Sequence, residues 1–260
     1  MIAALLTEGL KLRRSRVSWI TVLACTLGVA VGGLFMFISA DPARARALGL
    51  LGAKAELAGL DVTWTGFLAL LAQIVAVGGL LIFGMTTVWI FGREFADHTA
   101  KDLLALPTTR TRIVMAKYAV AALWCLLLIG YLILLGVIVG AVLRLPGWTA
   151  AVVWQGAGRI VVTALLTIAL TTTFGLAASW GRGYLPGIVA MGAALFTAQI
   201  AAAIGYGRWY PYAVPSLLSG MAGPGHPPPG SPGYVTVGLI AVAGVVWTVR
   251  WWNTTDHRSA

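Results

Sequence analysis

An all-α membrane protein of six transmembrane helices is predicted by three features of the sequence. Hydrophobic residues fill 59% of its 260 positions and charged ones only 10%, before the 32 glycines are added. Soluble domains carry about 25% charged residues, and a globule of this size still needs a polar skin. Six apolar runs are each long enough to cross about 30 Å of hydrocarbon, which takes about 20 helical residues. The runs are too long and too uniform for barrel strands, so the backbone must satisfy itself as helix. A soluble enzyme, a nucleic-acid-binding domain and a disordered tail are excluded on the same grounds. The net charge of +10 then reads as orientation and attraction to anionic headgroups, with no nucleic-acid partner.

Residues 1–16 precede the first span. Ile2, Leu5, Leu6 and Leu10 recur at helical spacing, and Lys11, Arg13, Arg14 and Arg16 crowd the following end. This pattern predicts a basic amphipathic helix in the headgroup layer; the plainer reading is an extension of the first span. The spans are expected at 17–39, 67–91, 118–143, 160–180, 185–205 and 234–252. The first run is too long for the apolar core of a signal peptide, and no small-residue cleavage site closes it, so it reads as an anchor. Cys25 and Cys125 lie in apolar runs and read as small core residues.

Lysine and arginine near the span ends divide twelve to six. Lys11, Arg13, Arg14, Arg16, Arg93, Lys101, Arg110, Arg112, Lys117, Arg182, Arg250 and Arg258 lie on one side; Arg44, Arg46, Lys54, Arg144, Arg159 and Arg208 lie on the other. The richer side is expected to be cytoplasmic, with both termini inside. No charge falls near the middle of a span, which argues against a carrier with carboxylate relays.

Between spans two and three lies the segment 93–116, which with its flanking residues 92 and 117 holds eight charges in a chain that otherwise avoids them. Pro107 should stop a helix running through Leu106, and Thr108 or Thr109 can cap a new one. The outcome is a stiff helix–break–helix element, and Leu103, Leu104 and Leu106 at its tip need a partner surface.

Here the chain resembles a family. Glu94 after a basic residue, Thr99, Leu103-Leu104-Ala105-Leu106-Pro107, Arg110 and Lys117 resemble the intracellular signature of ABC-2-type exporter permeases, and Glu8 to Ser15 resembles that family's opening helix. His98 stands where a glycine is usual. The resemblance implies a coupling helix seated in a cleft of a cytoplasmic ABC ATPase subunit, with Glu94, Asp97, Thr99, Lys101, Leu103, Leu104, Leu106, Pro107 and Arg110 as coupling residues. It implies two ATPase copies, a second permease half, identical or similar, and a place in the cell's inner membrane. It also carries the expectation that charge reversal at Glu94 leaves insertion normal while uncoupling ATP turnover from transport.

Residues 206–233 form an external loop with an aromatic cluster, a helical turn opened by Pro215, and a Pro/Gly tract. The family resemblance allows short helices dipping into the outer leaflet; an interfacial aromatic belt is the alternative. In span four, Thr163, Thr167 and Thr171 share one face. Together with Gln73, Gln199, Trp209, Tyr210 and Tyr212 they are candidates for a substrate path, although packing is the default for such a face. Gly28/Gly32 and Gly136/Gly140 form small-xxx-small pairs.

No phosphate-cradling G-x-x-x-x-G-K-[ST] run, H-E-x-x-H run or G-x-S-x-G elbow occurs, so no catalysis and no cofactor are expected on this chain; ATP and Mg would belong to the partner. The function expected is an ATP-driven exporter subunit for an amphipathic substrate such as an antibiotic, peptide, drug or lipid. A non-transporting scaffold or sensor and a secondary carrier or channel stay as alternatives.

Overall fold

The computed structural model describes residues 2–41, 61–99, 108–221 and 229–255. Those residues are all helix and connection, with no strand among them. Six helices are long and apolar enough to cross a membrane. Large apolar side chains such as Trp19, Leu23, Leu123, Leu127, Leu239 and Val242 point outward, which is the surface lipid solvates and water does not.

Helix α1 (Ile2–Arg13) is followed by α2 (Arg16–Ala40). Helix α3 (Trp64–Ala96) is the axis of the bundle, capped at its start by Thr63, whose Oγ1 accepts from Gly66 N at 3.1 Å. At 33 residues it is about 50 Å long and outlasts the hydrocarbon at its ends. Helices α4 (Arg110–Val142), α5 (Ala150–Leu170), α6 (Thr172–Trp180) and α7 (Tyr184–Ala203) follow. A 3-10 turn (Pro211–Ala213) leads into short α8 (Val214–Ser219), and α9 (Ser231–Thr254) completes the order. Helix α3 packs against α2, α4, α5, α6, α7 and α8.

Close approach explains one glycine pair. A Cβ at Gly136 would meet Leu71 at 2.5 Å and one at Gly140 would meet the Trp64 ring at 2.6 Å, so α4 can lie against α3 only with hydrogen there. The two ends of the bundle have separate cores. Trp64, Phe67, Leu71, Met36, Leu132 and Ile160 fill one; Phe91, Phe95, Val114, Phe174 and Trp252 fill the other. The latter is the end at which α1 and the close of α9 meet the last turn of α3 and the start of α4, and it carries the richer set of cations: the basic end.

The fourth span differs from the expected 160–180: its helix starts at Ala150 under a Thr149 cap, with Val152 N donating to Thr149 Oγ1 at 3.2 Å. It is also broken. The hydroxyls of Thr171, Thr172 and Thr173 donate to the carbonyls of Ile168, Ala169 and Leu170 at 2.7, 2.9 and 2.9 Å. Three successive hydroxyls competing for the ladder's acceptors interrupt the helix there. Within the external segment 206–233, the helical turn expected at Pro215 is α8, led by the 3-10 turn. Ala213, Val214, Pro215, Leu217 and Ser219 are buried, because α8 is tucked against α3 and α5. Tyr212 stacks on Phe174 with centroids 5.9 Å apart, and Phe174 packs at Gly84, near the middle of α3. The chain enters the bundle and turns back.

Candidate functional site

Four charged side chains from three helices meet at the basic end. Glu8 and Lys11 come from α1, Glu94 from the last turn of α3, and Lys117 from the second turn of α4. Lys117 Nζ contacts Glu8 Oε2 at 3.1 Å and Glu94 Oε1 at 3.0 Å; Lys11 Nζ contacts Glu94 Oε1 at 2.9 Å and Glu8 Oε1 at 3.2 Å. Lys117 also donates to the Ile90 carbonyl at 3.1 Å. Two carboxylates and two ammonium groups make the quartet neutral. Side-chain exposure is 0% for Lys117, 2% for Glu94 and 7% for Glu8, against 24% for Lys11. Charges this buried are tolerated only when each is paired and hydrogen-bonded, and here each one has at least two polar contacts.

Local sequence explains how they arrive. Glu8 and Lys11 are three residues apart and so share a face of α1. That face, with Leu12, is buried, whereas Leu6 and Leu10 are exposed. Leu5 packs against the core at this end, but Leu6 and Leu10 look away from the bundle. This is the surface an interfacial helix would offer to acyl chains, while its polar face locks onto the protein. After Glu94, α3 ends at Ala96; Thr99 folds back, its N donating to the Glu94 carbonyl at 3.0 Å and its Oγ1 to Glu94 Oε2 at 2.8 Å. His98 adopts φ 56° to make that turn, a conformation glycine takes without cost.

The coupling residues expected from sequence fall into three groups. Glu94 and Thr99 are in the quartet. Asp97 is exposed and pairs with Arg93 at 3.6 Å. Arg110 turns to the end of α9, its Nη1 donating to the carbonyls of Trp252 at 2.9 Å and Thr255 at 3.3 Å. A cation on a helix's last carbonyls is favourable, and it ties the start of α4 to the last helix. Phe95 packs against Trp252 at 5.7 Å in the same joint. Lys101, Leu103, Leu104, Leu106 and Pro107 lie outside the described residues. Sequence reasoning did not assign Glu8, Lys11 and Lys117 to the site. The available signal was a lone acid in a basic N-terminal segment, and a lysine directly before an apolar span.

The candidates for a substrate path do not form one lined channel. Thr163 and Thr167 are fully buried and Thr171 nearly so. Thr167 Oγ1 donates to the Thr163 carbonyl at 2.8 Å, and Thr171 Oγ1 accepts from Thr87 at 3.2 Å, so this face is packed against α3. Tyr212 OH and Thr173 Oγ1 are 2.6 Å apart, as are Tyr210 OH and Thr197 Oγ1. Burial pushes the Tyr212 phenol above its ordinary range, so it stays protonated. Trp209 is exposed. Gln199 lines a cavity of about 100 Å³ beside Ser216 and Met221. Gln73 lies beside Gly220 at the end of α8.

Six spanning helices, a helix docked across one end and a turn packed between two spans define a multi-pass membrane protein with a reinforced joint at its basic end. The comparisons with known proteins narrow this class. Residues 4–198 match the model of the ABC-2 family transporter protein family, and the chain belongs to that family. It is similar to the bacitracin transport permease protein BCRB of Bacillus licheniformis, 24% identical over 184 residues that cover 70% of this chain and 88% of that one. No solved structure matches. The chain is thus a membrane subunit of the ABC transporter type.

Proposed function

We propose that this chain is one permease half of an ATP-driven exporter that moves an amphipathic compound by alternating access. In this reading the basic end is cytoplasmic, the membrane is the inner one, and a second half, identical or similar, completes the path. Two copies of a separate ATPase subunit, holding ATP and Mg, supply the energy.

The ion quartet carries the reading. Residues 100–107 are connected on one side to α3 and on the other to α4, and Glu94 with Lys117 fastens those two stems while Glu8 and Lys11 add α1. Push on a segment mounted this way and both spans and the interfacial helix must move as one. A loop on loose stems would absorb the displacement instead.

Bacitracin, for which the Bacillus licheniformis relative is named, is the first substrate to try. Tagged chain purified from its native membrane should carry an ATPase subunit with it, and the reconstituted complex should move bacitracin only when ATP is hydrolysed. Leu104→Asp should release the ATPase while leaving the purified chain monodisperse. Transport by the chain alone, driven by an ion gradient and indifferent to ATP, would establish the secondary-carrier alternative instead.

A further inference from the structure

The end opposite the quartet holds a second constellation, built around Arg159. This residue is exposed on α5, and its Nε donates to the Leu218 carbonyl, in the last turn of α8, at 2.9 Å. The chain then turns at Gly220 with φ +80°. A Cβ there would lie 3.0 Å from Arg159 Nη2 and 4.0 Å from Gln73 Nε2. Two nitrogen donors from different helices therefore converge over one bare backbone position. Beside them lies a cavity of about 270 Å³ whose polar lining is Thr65, Gln155 and Arg159, with Leu68, Ala69 and Val152 as its apolar wall. Gln155 and Arg159 are four residues apart and share a face of α5.

Among the described residues Arg159 makes no ion pair; the pairs seen there join Glu8, Lys11, Arg93, Glu94, Asp97 and Lys117. Its level is informative too. Arg159 precedes Trp180, the end of the same broken span, by a helical rise of about 31 Å. That is close to the hydrocarbon thickness of about 30 Å. With Trp180 at one boundary, Arg159 sits at the phosphate level of the other leaflet. With Nε held by the Leu218 carbonyl, the Nη pair beside Gly220 makes no hydrogen bond among the described residues, and such a fork fits a phosphate where a lone ammonium does not.

We propose that Arg159, Gln73 and Gln155 form a site for the phosphate group of a lipid in the leaflet opposite the termini, its acyl portion lying on the apolar wall. The site stands independently of the exporter reading, since it needs only the six-span arrangement.

The full chain, purified in a neutral detergent, tests it by native mass spectrometry and titration. Dioleoyl phosphatidic acid should bind and dioleoylglycerol, which lacks the phosphate, should not. Arg159→Gln should weaken that binding about tenfold or more, the worth of a charge-assisted hydrogen bond. Arg159→Lys should restore only part of it, and Arg144→Gln, an exposed cation at the same end, should bind like the parent. Displacement by millimolar inorganic phosphate would mark the phosphate as sufficient by itself; failure to displace would mark the lipid as the required source. Should Arg159→Gln not fold, Gln73→Leu serves in its place, with a smaller loss expected. Unchanged binding in the folded Arg159 or Gln73 variant, or an equal loss in Arg144→Gln, overturns the site.

Discussion

The two ends of the bundle treat buried polarity in opposite ways. At the basic end, Glu8, Lys11, Glu94 and Lys117 cancel one another's charge and leave nothing for a ligand to pair with. At the other end, α8 is held by a charge-assisted bond from Arg159 Nε to the Leu218 carbonyl, and the guanidinium makes no ion pair among the described residues. A closed network can fix geometry and pass displacement along. An open one can bind. The contrast separates a joint from a site with no appeal to residue type alone, since both ends contain basic side chains.

The sharpest way to break this contrast is Lys117→Met. It leaves two buried carboxylates sharing Lys11, and the expected loss is about 3–5 kcal/mol, read from unfolding in mixed micelles. Adding Glu94→Leu should recover most of that loss, because Glu8 and Lys11 remain a balanced pair. Failure of the double substitution to recover would mean that the quartet is not acting as a neutral unit. The same burial alters the charge-reversal test: Glu94→Lys would place three ammonium groups around one carboxylate, so it is a folding mutation before it is an uncoupling one.

Gly220→Ala comes next. It asks an L-residue to adopt φ +80°, at about 1–2 kcal/mol, and crowds Arg159, so both unfolding and phosphatidic acid binding should respond. Tyr212→Phe removes one neutral hydrogen bond inside the bundle and should cost about 1 kcal/mol, with the ring stack on Phe174 retained; the readout is again the unfolding midpoint. The smallest effect belongs to Asp97→Asn. Its carboxylate is exposed and its contact with the half-buried Arg93 is long, at 3.6 Å, so a change below about 0.5 kcal/mol is expected. If that substitution matched Lys117→Met in cost, burial would not be what distinguishes the quartet.

Much of the fold is legible in the sequence because lipid imposes one rule on every spanning residue. The six runs and the small-residue pair Gly136/Gly140 follow from it. The break at Thr171 was not read, although three adjacent threonines were visible, because back-bonding hydroxyls interrupt a helix only when neighbours stabilise the broken form. Here Tyr118 OH takes up the Thr172 carbonyl at 2.8 Å and Thr172 Oγ1 reaches the Ala241 carbonyl at 3.2 Å. Glu94 and Thr99 were read as site residues. Their partners were not, since Glu8 and Lys117 are 109 residues apart, and no local pattern encodes such a meeting. Arg110 shows the converse: a basic residue in the right segment whose acceptors lie at the end of the final helix.

Composition and run length alone determined that this chain is helical, membrane-spanning and six-fold in its crossings, because the cost of an unpaired peptide group in hydrocarbon leaves no other option for runs of that length. Which charges neutralise one another, and which arginine lies beside a cavity, was decided only in three dimensions. Pairing energies depend on distance and burial, and those are set when distant helices pack.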